Sequence, residues 1–185
     1  MATENKTARP PAFVDPVTAE RSPLPRSPAP MIGVIGESQF SDPSHEAAAE
    51  ETGRLIAQSG WVLVCGGLTG VMEAACRGAR NAGGLTVGIL PSEDRDEANP
   101  YVTVAVPTGL GQGRNVVIAL MADALIAVGG GFGTLSEIGH ALRAGKPVIG
   151  LQTWEATRSG QRAPVTSVHT PQEAIDVVRR NLHIR

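Results

Sequence analysis

In ALIAVGGGFGTLSE, residues 124–137, an apolar run opens into four glycines and continues as a helix-like pattern. Glycine lets the backbone adopt positive φ and approach a ligand closely, and the first turn of a helix presents unpaired N–H groups at the positive end of its dipole. An anion such as phosphate fits there, beside the hydroxyl of Thr134 and the carboxylate of Glu137. The stretch therefore predicts a strand, a phosphate-binding turn and a helix. The alternative is a tight strand-to-helix turn that binds nothing.

Length and composition favour a single α/β domain. The chain has 185 residues, a net charge of −2 and 3% aromatic residues, so a basic or base-stacking surface for nucleic acid is not expected. Cys65 and Cys76 lie in apolar runs, which favours reduced, buried thiols. Because no apolar run reaches the ~20 residues of a membrane span and the N terminus lacks the apolar core of a secretion signal, the sequence predicts a cytoplasmic protein without a membrane partner.

The first thirty residues differ from the rest of the chain. They hold seven of the fourteen prolines and show no hydrophobic period. The sequence therefore predicts a disordered Pro-rich tail over residues 1–30 and one folded domain over 31–185. A Pro-rich docking segment at 22–30 is the alternative.

Apolar runs and amphipathic, alanine-rich stretches alternate from residue 31 onward. The predicted strands are 32–35, 61–64, 86–90, 102–106, 124–128 and 148–151, and the predicted helices are 43–59, 70–82, 112–122, 134–144 and 171–182. Alternation of helices with continuously apolar strands predicts a doubly wound, Rossmann-like α/β fold, with a parallel sheet and helices on both faces.

Ligands of such sheets bind beyond the carboxyl ends of the strands, where three further glycine-containing segments are predicted. These are residues 33–38 after the first strand, 66–72 after the second and 109–115 after the fourth. No G-x-G-x-x-G spacing is complete, and Cys65 and Gly66 stand where a dinucleotide site would place an acidic residue. No Gly-Lys-Ser/Thr follows any of these turns. A nicotinamide dinucleotide and the usual P-loop ATPase chemistry are therefore disfavoured.

Arg114 stands between a glycine-rich loop and a helix, where its fork of donors can clamp a phosphate or a sugar hydroxyl; a surface arginine is the alternative. Glu137 and His140 are three residues apart on one helical face, but no further metal ligand is evident, so no metal site is predicted. The acidic segment 92–97 is predicted to be a solvated turn rather than a cation site.

These motifs resemble the LOG-like family, whose members are often labelled lysine decarboxylases. The resemblance covers roughly residues 31–151 and is carried by residues 129–137, 66–72 and Arg114. The family hallmark is P-G-G-x-G-T-x-x-E. Its matching residues are Gly130, Gly131, Gly133, Thr134 and Glu137, with Gly129 in place of the proline. A pyridoxal phosphate decarboxylase is disfavoured, because the only lysines are Lys6, in the tail, and Lys146, at the wrong end of the sheet.

The resemblance implies two activities. In the founding members, the arginine and glutamate that match Arg114 and Glu137 serve a phosphoribohydrolase that releases cytokinin bases from riboside 5′-monophosphates. Those enzymes typically follow the arginine with lysine, where this chain has Asn115. Asn115 and the strings VGILP (87–91), ANPY (98–101) and PTGLG (107–111) are similar to a second branch, which includes the molybdenum cofactor carrier proteins. The family also implies a homodimer or higher homo-oligomer.

The predicted site combines Arg114 and Glu137, as candidate catalytic residues, with ligand-binding residues at the strand ends. The ligand-binding residues are Gly36, Ser38, Gly66, Gly67, Thr69, Gly70, Thr108, Gly109, Arg114, Asn115, Gly130, Gly131, Gly133 and Thr134. The predicted function is binding of a phosphorylated nucleotide-like or pterin ligand, such as a nucleoside monophosphate or the molybdenum cofactor. No cofactor is predicted to be required for catalysis.

The alternative function is hydrolysis of the N-glycosidic bond of a nucleoside 5′-monophosphate. The glycine N–H groups and Thr134 would hold the phosphate, and Arg114 would position the sugar phosphate. Glu137 would stabilise an oxocarbenium-like centre or activate water. A structural or regulatory module without a ligand is a third class, disfavoured because the glycine loops and Arg114 converge on one edge of the sheet.

Overall fold

A computed structural model describes residues 29–183. The strands are, in chain order, β1 (Met31–Gly36), β2 (Val62–Cys65), β3 (Thr86–Leu90), β4 (Val104–Pro107), β5 (Ala124–Val128), β6 (Val148–Leu151), β7 (Thr157–Arg158), β8 (Gln161–Arg162) and β9 (Val165–Val168). The helices are α1 (Ser44–Gln58), α2 (Val71–Asn81), α3 (Arg114–Met121), α4 (Phe132–Arg143) and α5 (Pro171–Asn181). The predicted Pro-rich tail falls almost entirely on residues 1–28, which lie outside the described residues.

Seven strands form one parallel sheet in the order β4-β3-β2-β1-β5-β6-β9, and β7 and β8 form a separate antiparallel hairpin. Alternate residues of β5 serve two cores. Ile126 belongs to a cluster with residues of α1, α2 and α5, whereas Leu125 and Ala127 belong to a cluster with residues of α3 and α4. Helices thus cover both faces of the sheet, which confirms the predicted doubly wound class.

The order of the strands creates a switch point between β1 and β5. These two strands are neighbours, but the chain leaves β1 towards β2 on one side and leaves β5 towards β6 on the other. The loops that follow β1 and β5 therefore diverge, and a crevice opens between them at the carboxyl edge of the sheet. The glycine turn at 129–131 lies at this edge.

The structure departs from the predicted elements at both edges of the sheet. The fourth strand was expected at residues 102–106, but β4 is Val104–Pro107. Pro107 lacks a backbone N–H, which is tolerated because β4 is an edge strand. β9, at the opposite edge, and the hairpin were not predicted, since β9 has only two apolar residues and is largely exposed. Gly33 and Gly36 belong to β1 itself rather than to the segment that follows the strand.

Across residues 29–183, none of the helices combines the length and the apolar character that a bilayer crossing requires.

Candidate ligand-binding site

A cavity of about 960 Å³ opens at the carboxyl ends of β1 and β5. Its walls come from the end of β1, the loop after β2, the start of α3 and the start of α4. Ten of the residues predicted from sequence line it: Gly36, Ser38, Gly66, Arg114, Asn115, Gly130, Gly131, Gly133, Thr134 and Glu137. The fold thus brings four separate sequence segments together around one cavity.

Arg114 and Glu137 form a buried ion pair in this cavity. The Arg114 side chain is 7% exposed, as is that of Glu137, and Nη1 of the arginine lies 3.3 Å from Oε1 of the glutamate. Nη1 also donates to Oδ1 of Asn115 at 2.6 Å, and the amide of Asn115 donates to Ser136 Oγ at 2.9 Å. Asn115 therefore orients the guanidinium and ties α3 to the first turns of α4.

The guanidinium of Arg114 keeps unused hydrogen-bonding capacity. Its Nε is buried and has no hydrogen-bond partner within residues 29–183, the only such side-chain nitrogen or oxygen in that part of the chain. Gly66 packs against it so closely that a Cβ there would lie 2.7 Å from Cζ of Arg114. A buried donor without a partner is costly, and the positive charge of Arg114 at the wall of the cavity favours a ligand that supplies a negatively charged acceptor.

The carboxyl group of Glu137 is perturbed by its surroundings. Burial raises its pKa from 4.5 to about 7, although the charge of Arg114 and the hydrogen bond from Arg114 act in the opposite direction. A carboxyl with such a pKa can donate or accept a proton under physiological conditions.

The glycine turn before α4 presents backbone rather than side chains to the cavity. Gly129 and Gly130 have φ of +55° and +123°, and α4 then begins at Phe132 without a side-chain cap. A Cβ on Gly130 would lie 2.6 Å from Cβ of Thr134. The N–H groups of the first turn of α4 and the positive end of its dipole thus face a space suited to an anion.

Glu37, at the end of β1, is a second carboxylate of the cavity that the sequence analysis did not select. Its Oε1 lies 2.7 Å from Nδ1 of His45 and accepts from the N–H of Ser41 at 2.9 Å, and its Oε2 accepts from Ser41 Oγ at 2.8 Å. Burial raises the pKa of Glu37, but the hydrogen bonds from His45 and Ser41 outweigh burial and hold it below the usual value. Its position directly after a strand at the switch point was the signal that could have identified it.

Five predicted residues lie outside the lining of the cavity: Gly67, Thr69, Gly70, Thr108 and Gly109. Their contacts shape the surrounding loops. The hydroxyl of Thr69 donates to the carbonyl of Ser38 at 3.1 Å, and that of Thr108 donates to the carbonyl of Leu90 at 2.7 Å. Binding of a ligand by these five residues, as by the ten that line the cavity, stays a prediction.

The cavity also contains polar and aromatic side chains that were not predicted, among them Gln39, Gln112, Phe132 and His140. Their local sequence carries no distinctive signal, because they reach the cavity only through the packing of α4 and of the neighbouring loops. His140 shares the cavity with Glu137, but no three His, Cys, Asp or Glu side chains are grouped for a metal ion in the described range 29–183.

Cys65 and Cys76 are both buried free thiols, and their Sγ atoms lie 3.4 Å apart. Cys65 ends β2, where its Sγ accepts from the N–H of Gly67 at 3.3 Å. The pair therefore packs beneath the turn that carries Gly66 rather than forming part of a disulfide framework.

Asn99 fixes the loop after β2 and, through Gly66, the surface against which Arg114 packs. Its buried amide donates to the carbonyls of Gly67 at 3.1 Å and Leu68 at 2.9 Å, and its Oδ1 accepts from the N–H of Tyr101 at 3.1 Å. Replacement with aspartate would place a buried carboxylate against two carbonyl oxygens. We expect Asn99→Asp to lower the free energy of unfolding by about 2 kcal/mol or more, measured by urea denaturation at pH 7.

The matched control for Asn99 is Asn81→Asp at the exposed C-terminal end of α2, where the same chemical change should cost less than about 1 kcal/mol, mainly from the helix dipole. Equal stability of the two variants would contradict the structural role of Asn99.

Three comparisons with known proteins bear on this site. The model of the SLOG cluster4 family matches residues 29–175. The molybdenum cofactor binding protein from the phototrophic bacterium Rippkaea orientalis has a similar structure, with a TM-score of 0.78 and 39% identity, covering 84% of this chain and 98% of that chain. The molybdenum cofactor carrier protein of Chlamydomonas reinhardtii gives a TM-score of 0.75 with 36% identity, covering 84% of this chain and 99% of that chain.

A cytokinin riboside 5′-monophosphate phosphoribohydrolase from Mycobacterium tuberculosis is also similar in sequence. It is 32% identical over 126 residues, which are 62% of this chain and 67% of that protein. The chain is thus similar both to proteins named for binding the molybdenum cofactor and to a protein named for hydrolysis of a nucleotide.

Proposed function

This chain belongs to the SLOG cluster4 family, and from that premise we propose that it binds a small phosphorylated ligand of the nucleotide or pterin class in the cavity between β1 and β5. The resemblance to the LOG-like family, in the branch that includes the molybdenum cofactor carriers, is confirmed. The function that best fits the site is binding of such a ligand, as a carrier or nucleotide-binding protein.

The observation that carries this proposal is that the buried Arg114 and the uncapped start of α4 line the same cavity. A cation and a set of free backbone donors in one cavity form a binding site for an anion. Phosphate satisfies both, since its oxygens accept from N–H groups and its charge is opposite to that of the guanidinium. Thr134 and the glycine turn at 129–131 would complete the phosphate site.

Binding of a pterin as cargo is supported by the similarity to the two molybdenum cofactor proteins along almost their whole length. The donor set fits such a cargo through its phosphate. Asn115 would serve such a carrier by orienting Arg114, since its carbonyl accepts from Arg114 and its amide donates to Ser136. In a carrier of this kind, Glu137 would recognise a polar group of the ligand and take part in no bond cleavage.

Hydrolysis of a nucleoside 5′-monophosphate is the second candidate function, and the pKa of Glu137 favours it. In this reaction the bond between C1′ of the ribose and a nitrogen of the base breaks, water adds its hydroxyl to C1′, and a proton goes to the base. A carboxyl that titrates at about 7 is able to take a proton from the attacking water or to stabilise the positive charge that develops at C1′.

One experiment distinguishes the two functions. Purified protein is titrated with adenosine monophosphate (AMP), isopentenyladenosine monophosphate and a phosphorylated pterin by calorimetry, and the nucleotide samples are then separated by chromatography to detect free base. We expect AMP to bind at least about 10-fold more tightly than adenosine, which lacks the phosphate. A charge-assisted hydrogen bond to the phosphate contributes about 1.5–3 kcal/mol.

Intact nucleotide after binding would support a binding or carrier protein. Free base from the unmodified chain and none from Glu137→Ala would establish a phosphoribohydrolase. If none of the three phosphorylated compounds binds, the proposed function is wrong. Assembly into a homo-oligomer, a cytoplasmic location and the absence of nucleic-acid and membrane partners stay predictions.

A further inference from the structure

Phe132 is the most exposed of the large apolar side chains in the described part of the chain, at 82% exposure. It is the first residue of α4 and lines the cavity together with Arg114 and Glu137. The sequence has only three phenylalanines, two tryptophans and one tyrosine, so an aromatic ring at this position is not a consequence of composition. An exposed first helical residue needs no aromatic ring for folding, and the ring therefore indicates an interaction.

The ring of Phe132 packs against the indole ring of Trp154. The two ring centroids are 5.6 Å apart and the planes are tilted by 36°. The indole N–H of Trp154 donates to the carbonyl of Gly131 at 3.0 Å, which attaches the indole to the glycine turn before α4. The orientation of the aromatic pair is thus set by the same backbone that is proposed to hold the phosphate.

We propose that Phe132, supported by Trp154, is the stacking surface for a flat nitrogen heterocycle, a purine or a pterin ring, of the ligand. This inference rests on the function proposed above and adds the side chain that contacts the ring of the ligand. A phosphate at the first turn of α4 lies within one helical turn of Phe132, so one small ligand can reach both. Gln39 and Gln112 line the same cavity and carry amides that can pair with the polar edge of the ring.

Stacking explains why an exposed aromatic ring lines a cavity that also contains the buried pair of Arg114 and Glu137. Aromatic faces attract the π-systems of heterocycles regardless of their substituents, whereas the amides discriminate between their edges. Leu120 on α3 is also exposed, at 56%, but it does not line the cavity. It therefore serves as the matched apolar control.

The test compares AMP, which carries a purine, with ribose 5-phosphate, which carries the same sugar phosphate without a ring. We expect Phe132→Ala to weaken AMP binding about 10-fold, since loss of one stacked aromatic ring costs about 1–3 kcal/mol. The affinity of Phe132→Ala for ribose 5-phosphate should stay within about 2-fold of that of the unmodified chain. Phe132→Tyr should keep the affinity for AMP. Leu120→Ala should change the affinity for neither ligand.

A fluorescence measurement tests the position of the ring directly. The buried Trp61 is replaced by phenylalanine so that Trp154 is the remaining tryptophan, and AMP should then quench its emission while ribose 5-phosphate should not. Calorimetry on the chain with Trp61 intact gives the affinities independently of this variant.

The outcomes separate the inference from the proposed function. If the unmodified chain binds AMP but Phe132→Ala binds it equally well, the stacking surface is wrong and the proposed function stands. If Phe132→Ala weakens both ligands equally and light scattering shows a change of oligomeric state, Phe132 belongs to a contact between copies of the chain and the inference is overturned. If neither AMP nor ribose 5-phosphate binds to the unmodified chain, stacking of a purine on Phe132 is overturned, and titration with the phosphorylated pterin then decides whether the proposed function stands.

Discussion

Replacement of Arg114 with alanine is expected to weaken the binding of AMP by about 100-fold. Arg114 is the buried cation of the cavity, and its Nε has no partner in the described part of the protein. Truncation removes one or two charge-assisted hydrogen bonds to the ligand, each worth about 1.5–3 kcal/mol, and a loss of about 2.7 kcal/mol corresponds to 100-fold. Calorimetric titration with AMP measures the effect.

Two variants separate loss of the arginine from a general loss of charge. Arg114→Lys keeps the positive charge but not the planar fork of donors, so it should recover only part of the affinity. Arg54→Ala removes a half-buried arginine of α1, which pairs with Glu51 and does not line the cavity, and should leave the affinity for AMP unchanged. Unchanged binding by a folded Arg114→Ala protein would contradict the proposed phosphate site.

The fold was predictable because its signals are local. The continuous apolar runs of β5 and β6 identify buried parallel strands, and glycines or capping residues mark the ends of most helices. Predicted and observed helices differ by no more than two residues at either end, as at α4, which begins at Phe132 rather than Thr134. There the glycines obscured the start of the helix.

The elements that the sequence missed are those that depend on tertiary context. β9 pairs with β6 along its whole length, yet its middle residues, Thr166 and Ser167, are exposed and give no apolar run. The register of β4 is likewise set by its neighbour. The N–H of Thr103 donates to the hydroxyl of Thr86 in β3 at 2.8 Å. The turn before β4 therefore extends to Thr103, and β4 begins later than the apolar residues of the segment suggest.

The candidate site shows the same division between local and tertiary signals. Arg114, Glu137 and the glycine turn were found because their residue types are unusual within one segment of the chain. The Phe132 and Trp154 pair joins residues 22 positions apart, and the contact between Glu37 and His45 depends on the angle at which α1 follows β1. Such contacts are set by packing, which no periodicity or motif within a segment encodes.

Ionisation of Glu137 is expected to make the stability of the protein depend on pH. Burial raises the pKa of this carboxyl to about 7 in the folded chain, whereas the ordinary value is 4.5. Between these two pH values the folded state binds a proton that the unfolded state has lost. The stabilisation of the folded state by this proton is fully present below pH 4.5 and is lost as the pH rises through 7. Relative to Glu137→Gln, the unmodified chain should lose about 3 kcal/mol of unfolding free energy across this window.

Urea denaturation of both proteins at several pH values between 4 and 8 measures this difference, and subtraction of the two curves removes the titration of all other groups. Glu97→Gln, an exposed glutamate in the turn after β3, is the matched control and should give a difference that does not vary with pH by more than about 0.5 kcal/mol. If the Glu137→Gln difference is equally flat, Glu137 ionises normally. Its carboxylate would then be ionised at neutral pH and would neutralise the charge of Arg114 beside the proposed phosphate site, which would weaken both the binding of an anion and a role for Glu137 in proton transfer.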